Sequence, residues 1–232
     1  MANEYKCDAI VIYSSDFREY DKLLTLYTPT LGKKKVLLRG CKKPTAKLRF
    51  AGNPLFYGEF VILEGKGYDI VKTVESKKSF FNIPKDFDRY LDACNVLKIV
   101  NVNGEYNNFR LLFMLLLTYL SIIDEETTNT DVFTSKFFVE ILRMQGFELN
   151  TKLCSTCSSC FGQNIYFDVD VNCFLCGNCR KFSSMQVDKA VVELINVIQS
   201  NKFVELVNLD IDEKLIGKTK KFLNEIVNRC FF

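Results

Sequence analysis

Residues 7–39 read CDAIVIYSSDFREYDKLLTLYTPTLGKKKVLLR, and the reading of this stretch decides the fold of the first third of the chain. Cys7 to Tyr13 is rich in β-branched and apolar residues, Leu23 to Tyr27 forms a second short run, and Lys35 to Arg39 a third. Thr30-Leu31-Gly32 supplies a turn ahead of the third run. Further on, Gly40 to Pro54 reads as a loop with a short helix around Lys47. Leu55 to Leu63 and Tyr68 to Val74 then flank Gly65-Lys66-Gly67, a loop of hairpin length with glycine where positive φ is needed. Five short strands between residues 5 and about 78 predict a small closed barrel of the OB type.

The same stretch carries an uneven share of the charge. The chain has a formal net charge of +3. Its first 50 residues hold 11 Lys and Arg against five acids, a net +6, which leaves −3 for the other 182. From Lys33 to Arg49 there are eight cations and no acid: Lys33, Lys34, Lys35, Arg39, Lys42, Lys43, Lys47 and Arg49. Lysines leading into the apolar run Val36-Leu37-Leu38 are displayed from a folded scaffold, which is the footprint of a polyanion partner. These eight are the candidate residues for facing such a polyanion, and DNA in particular is what the resemblance described below implies. Tyr20, Tyr27 and Phe50 are candidates to stack on bases, although the reading favours placing them in the core.

After Pro84 the apolar period becomes helical. Phe87, Tyr90, Leu91, Cys94 and Leu97 recur at helical spacing. Leu111 to Ile123 is apolar on nearly all sides and is expected at the centre of a helical domain. At 13 residues it falls short of the roughly 17 to 25 needed to cross a bilayer. Phe133, Phe137, Ile141 and Met144 mark a third helix, with Asp131 placed to cap its start and Gly146 to end it. Val187, Val191, Leu194, Ile195 and Ile198 form another amphipathic face, and Leu215, Phe222, Leu223, Ile226, Val227 and Cys230 the last.

A hydrophobic fraction of 48% with 25% charged residues suits one large globular domain or two modest ones. The polar opening from Met1 to Asp8 lacks the apolar run of an export signal. Ten cysteines are therefore expected as thiols or metal ligands in a reducing cytoplasm. The chain has no histidine, which closes Ser–His and Cys–His nucleophile pairs and any imidazole base.

Cys154-x2-Cys157 and Cys176-x2-Cys179 enclose an 18-residue spacer, the arrangement that places four thiolates around one tetrahedral zinc. Cys160 and Cys173 open a second possibility, Cys157-x2-Cys160 with Cys173-x2-Cys176 across 12 residues. Spacing favours the outer set. A redox C-x-x-C would need only one pair, and catalytic zinc usually keeps an open position and includes His or carboxylate. The deaminase pattern is absent. The site reads as one structural zinc that folds residues 154–179.

The segment AIVIYSSDFREYDKLLTLYTPTLGKKKVLLRGCKKPTAKLR resembles the opening of RecO proteins, in which D-x-L-L-T-L-x-T-P-x-x-G precedes a strand and a basic loop. Here these elements are Asp21 to Pro29, Gly32, and Lys42 to Arg49. The segment from GFELNTKLCSTCSS to YFDVDVNCFLCGNC is similar to the family's pattern around its metal site, and the family pattern also favours the outer four cysteines. Leu149 stands where that pattern often has proline and Thr151 where it has leucine. Ser158 replaces a glycine, and Asn172-Cys173 a glycine pair.

The resemblance implies an α+β protein. An N-terminal five-stranded OB-type β-barrel (1–80) would be followed by a mainly α-helical domain (81–232) with a four-cysteine zinc knuckle inserted at about 150–182. It further implies a non-enzymatic DNA repair and recombination mediator, cytoplasmic and nucleoid-associated. Such a protein binds single- and double-stranded DNA, partners RecR and single-stranded DNA-binding protein, and acts indirectly on RecA. An apolar groove with a basic rim on the helical region would suit the acidic tail of single-stranded DNA-binding protein, and Arg143 equally suits the helix dipole. The competing readings are a zinc-ribbon transcription or translation accessory factor, and a metal-dependent nuclease using Asp168 and Asp170.

Overall fold

The computed structural model describes residues 3–103, 108–125 and 130–232. Met1 and Ala2, part of the polar opening segment, lie outside the described residues. The chain divides into two compact units, Met1–Glu125 and Glu126–Phe232.

The first unit is built on a closed five-stranded barrel. Its strands are β1 (Glu4–Phe17), β2 (Asp21–Thr28), β3 (Gly32–Leu38), β4 (Phe56–Leu63) and β5 (Asp69–Ser79), in the order β1-β2-β3-β5-β4, with β4 returning to β1. All neighbours are antiparallel except β3 and β5, which pair in parallel through Val36↔Asp69 and Leu37↔Ile70. The inward face follows the period of two: Cys7, Ala9 and Val11 from β1, Leu24 and Leu26 from β2, Val36 and Leu38 from β3. Phe56, Phe60 and Ile62 from β4 fill the remainder.

The loop after β3 closes one end of the barrel. Its short 3-10 helix is Arg49–Gly52, two residues beyond Lys47, and Ala51 joins the core. The Ser14 hydroxyl and the Lys22 ammonium both donate to the Gly52 carbonyl, at 2.8 and 3.0 Å. At β4, a Cβ on Gly58 would stand 2.4 Å from the Glu75 carbonyl oxygen, so glycine there permits the close approach of β5 at a bulge.

Two helices complete this unit, α1 (Phe87–Asn103) against β1 and α2 (Phe109–Glu125) against β2 and α1. Most of the stripe expected on α1 is turned outward: Phe87, Tyr90 and Leu91 are exposed, Cys94 is half-buried and Leu97 alone is buried. The helix buries Ala93, Val96 and Val100 together with Leu97. That set has the same i, i+3, i+4, i+7 spacing one residue further round, and small Ala93 lets the helix axis approach the sheet. Helix α2 belongs with the barrel rather than at the centre of a helical domain. Leu111 and Met114 are exposed, while Leu112, Phe113, Leu116, Tyr119 and Leu120 are buried. Asp124, itself buried, accepts the backbone N–H groups of Asn82 and Ile83 and ties the segment after β5 to this helix.

The second unit contains α3 (Thr130–Met144), α4 (Lys189–Ser200), the short α5 (Phe203–Leu206) and α6 (Glu213–Phe231). It also holds a small sheet of β6 (Ile165–Asp168), β7 (Cys173–Cys176) and β8 (Met185–Val187), in the order β7-β6-β8. Helices α3, α4 and α6 pack on one another. Asp131 lies inside the first turn of α3 rather than capping it, and its carboxylate takes the Lys220 ammonium of α6 at 2.7 Å. Gly146 ends the helix as its left-handed φ of +84° allows, with Phe147 N–H bonded to the Leu142 carbonyl. Lys136 is buried, pairs with Glu140 and donates to the Ile198 carbonyl near the end of α4. No helix among the described residues is long and apolar enough to cross a membrane.

The turn into β3 generates a test. Gly32 has φ +62°, and a Cβ there would stand 2.7 Å from the Phe109 ring of α2. Gly32→Ala is expected to lower stability by about 2–4 kcal/mol through left-handed strain plus overpacking. Phe109→Leu should recover part of that loss, read as the shift in denaturant midpoint.

Candidate metal centre and nucleic-acid interface

The sulfurs of Cys154, Cys157, Cys176 and Cys179 all lie within 4.8 Å of one another. Cys157 and Cys176 are 3.7 Å apart, and ligands about 2.3 Å from a tetrahedral zinc are separated by about 3.8 Å. The four thiols therefore fit a small soft cation, and no histidine or carboxylate belongs to the cluster.

Local backbone explains why these four converge. Each pair spans a tight turn: Ser158 N–H donates to the Cys154 carbonyl at 2.9 Å, and Cys179 N–H to the Cys176 carbonyl at 3.1 Å. The β6–β7 pairing, Ile165↔Cys176, and the Ser155 N–H bond to the Phe174 carbonyl bring the two turns together. The alternative set is excluded by the strand. Cys173 and Cys176 are the two ends of extended β7, about 10 Å apart and on opposite faces at about 3.3 Å per residue. Cys160 is exposed and bridges to Leu153.

Hydrogen bonds from the Ser159 side chain and backbone hold the Cys157 thiol down at about 6, while the neighbouring Cys157 and Cys176 sulfurs push Cys179 up to about 12. A thiol already inclined to ionise suits a metal ligand.

The positions that depart from the family pattern are accommodated in specific ways. Ser158 and Asn172 adopt left-handed φ values of 57° and 52°, where glycine would be unstrained. The Thr151 hydroxyl bonds the Asn196 and Gln199 side chains of α4, and Gln199 donates to the Leu149 carbonyl. Asp168 and Asp170 are structural. Asp168 is fully buried, accepts the Asp170 N–H, and pairs at 2.7 Å with Lys181, whose ammonium holds its carboxyl below the usual range. Asp170 accepts from the Ser183 hydroxyl.

The barrel sorts the eight cations into different tasks. Lys33 and Lys35 lie on the outer face of β3 and line a groove of about 540 Å³ with Tyr13, Thr25 and the end of α1. Lys33 donates to the Asn101 carbonyl there at 2.9 Å. Lys34 shares the inward parity of Val36 and Leu38, and its charge opposes the burial that pushes Cys7 up to about 11. Arg39 and Lys43 border a second hollow with Arg18 and Tyr20, the Lys43 ammonium lying 5.6 Å from the Tyr20 ring centre. Lys42 pairs with Asp16 at 2.7 Å, and Arg49 donates to the Lys42 and Lys43 carbonyls. Lys34, Lys35, Arg39, Lys43 and Lys47 have no acidic partner within salt-bridge distance among the described residues.

Tyr27 is fully buried, as expected, but Tyr20 and Phe50 are exposed. Arg18 and Tyr13 were missed by sequence reasoning. Arg18 precedes the basic run, and the partners of Tyr13 depend on a strand register shifted by a bulge between Val11 and Tyr13.

The family model for the Recombination protein O N terminal matches residues 1–80, and that for the Recombination protein O C terminal matches residues 84–229. The chain belongs to the RecO family. It is 29% identical over 229 residues to a DNA repair protein RecO of Desulforamulus reducens, covering 96% of this chain and 88% of the relative. To that of Clostridium perfringens it is 22% identical, covering 96% and 91%. To that of Mycoplasma capricolum it is 28% identical, covering 94% and 87%. As a RecO family member the chain is a DNA repair protein and not an enzyme.

The ligand geometry predicts which cysteines matter. Cys176→Ser is expected to abolish bound metal, measured by elemental analysis of purified protein, whereas Cys160→Ser and Cys173→Ser should leave the metal content unchanged.

Proposed function

We propose that this RecO family protein is a recombination mediator that holds DNA on its barrel. In this reading it binds single- and double-stranded DNA, assists loading of RecA on strands coated by single-stranded DNA-binding protein, and promotes annealing. RecR is its working partner, and it acts in the cytoplasm on the nucleoid. The observation that carries the reading is the set of cations without acidic partners, Lys34, Lys35, Arg39, Lys43 and Lys47, in a 14-residue stretch that contains no acid. Phosphate contacts from such a surface release counterions and bind without regard to sequence, as a mediator on arbitrary damaged DNA requires.

The functional division proposed is a DNA-holding barrel, 1–80, and a helical region, 81–232, with the metal-binding insertion at about 150–182. The limits of the two family models support a boundary near residue 80. The metal is proposed to be one zinc ion, since an all-thiol tetrahedral set suits it. When bound, it supplies cross-linking of the two turns and no reaction chemistry.

The test is binding of labelled single-stranded DNA across a salt series. The wild-type protein is compared with a variant carrying Lys35→Ala, Arg39→Ala, Lys43→Ala and Lys47→Ala. The plot of log K against log salt is expected to flatten by about 3, at about 0.7 for each lost phosphate contact. An unchanged slope in the folded variant would move the DNA surface off this part of the barrel. Binding confined to one duplex sequence would favour a sequence-specific transcription factor instead.

A further inference from the structure

The barrel exposes four aromatic side chains between Tyr13 and Tyr68, and three of them already have a ring partner. Lys43 sits over Tyr20, Phe50 meets Phe56 edge-on at 5.4 Å, and Phe17 meets Tyr68 at 5.9 Å. Tyr13 is 52% exposed, and among the described residues no aromatic ring or cation lies against its ring.

Its position is fixed by register. Tyr13 pairs with Thr25 across β1–β2, and Thr25 with Lys35 across β2–β3. A flat aromatic surface, a short floor residue and a lysine without an acidic partner therefore stand in one row across the outer face of the barrel. The groove above this row, about 540 Å³, falls within the range of ligand-holding clefts. Lys33 forms its far edge and is anchored to the Asn101 carbonyl.

We infer that Tyr13 is a base-stacking position for single-stranded nucleic acid, with the flanking phosphates on Lys35 and Lys33. The inference rests on the proposed DNA-holding role of the barrel and adds the means by which it prefers single strands. Lysines attract any phosphate backbone, whereas a stacked base must be out of its duplex, so Tyr13 contributes only when the strand is single. The outer faces of β1, β2 and β3 present both groups together.

The chain contains no tryptophan, so Tyr13→Trp places a single indole at the site in the full-length protein. Titration with oligodeoxythymidylate at low salt is expected to quench its emission, whereas duplex DNA should leave it nearly unchanged. Tyr13→Ala and Tyr13→Leu should weaken single-strand binding about tenfold, with duplex binding within about twofold and the salt slope unchanged. Equal losses on single and double strands, or unaltered single-strand affinity with an unquenched indole, would overturn the inference. Loss of RecR binding with DNA affinity intact would likewise overturn it and make Tyr13 a protein contact. If wild-type protein bound no DNA at low salt, the proposed role of the barrel would itself fall, an outcome separable from failure at Tyr13 alone. Unchanged melting temperatures would show that the variants are folded.

Discussion

The barrel depends on its shortest pairing. Strands β3 and β5 meet in parallel through two residue pairs, Val36↔Asp69 and Leu37↔Ile70, and without that contact the sheet would have two open edges. Closure removes both edges and fixes the side of β3 that faces water. Because β3 is also the lysine-bearing strand, the seam that completes the core also orients the cations. Tyr5 reinforces it from β1, its hydroxyl donating to Asp69 at 2.9 Å; burial and that carboxylate raise the phenol well above its ordinary value. Parallel pairing over so short a length gives little stability by itself. The seam is held by the apolar residues behind it, chiefly Val36, Leu38 and Val71.

The second unit joins its cysteine-rich segment to its helices by aromatic rings packed edge-on and tilted against one another. Phe167 of β6 and Phe174 of β7 are 5.1 Å apart, and Phe222 of α6 lies 5.2 and 6.0 Å from them. The four thiols gather at the Cys176 end of β7, with Leu175 and Tyr166 packed in the same cluster as Cys154 and Cys176. The strand is thus fastened by apolar burial at Phe174 and by sulfur two residues further on. This arrangement explains how a segment with few apolar residues of its own is ordered against α6.

Much of this was legible in the chain. Alternation in Cys7 to Tyr13 and in Leu23 to Tyr27 marks strands because barrel cores demand a period of two, and the cysteine spacing marks the cluster because a tetrahedron accepts few turn lengths. What escaped was partner choice. Phe87, Tyr90 and Leu91 have the spacing of a buried stripe, yet Ala93, Val96 and Val100 bury instead, since periodicity defines faces without saying which one meets the sheet. The apolar content of α2 could not reveal that its partner is the barrel. Asp131 precedes the third apolar stripe, as a cap would, but Lys220, 89 residues away, draws it into an ion pair. The eight cations of the basic run look alike in sequence. Only the fold shows that Lys42 and Arg49 brace the loop while Lys35 and Arg39 remain available.

The contact between Gly32 and Phe109 has a consequence for the inheritance of the fold. Position 32 begins the lysine-bearing strand and position 109 begins α2, 77 residues later in the chain. The ring occupies the volume that any side chain at 32 would need. Lineages that keep a large aromatic residue at 109 are therefore held to glycine at 32, and those that shrink 109 are still held there by the left-handed backbone. Variation at the two sites should thus be one-directional: drift can begin at the helix, and the strand can follow only after its turn has been rebuilt.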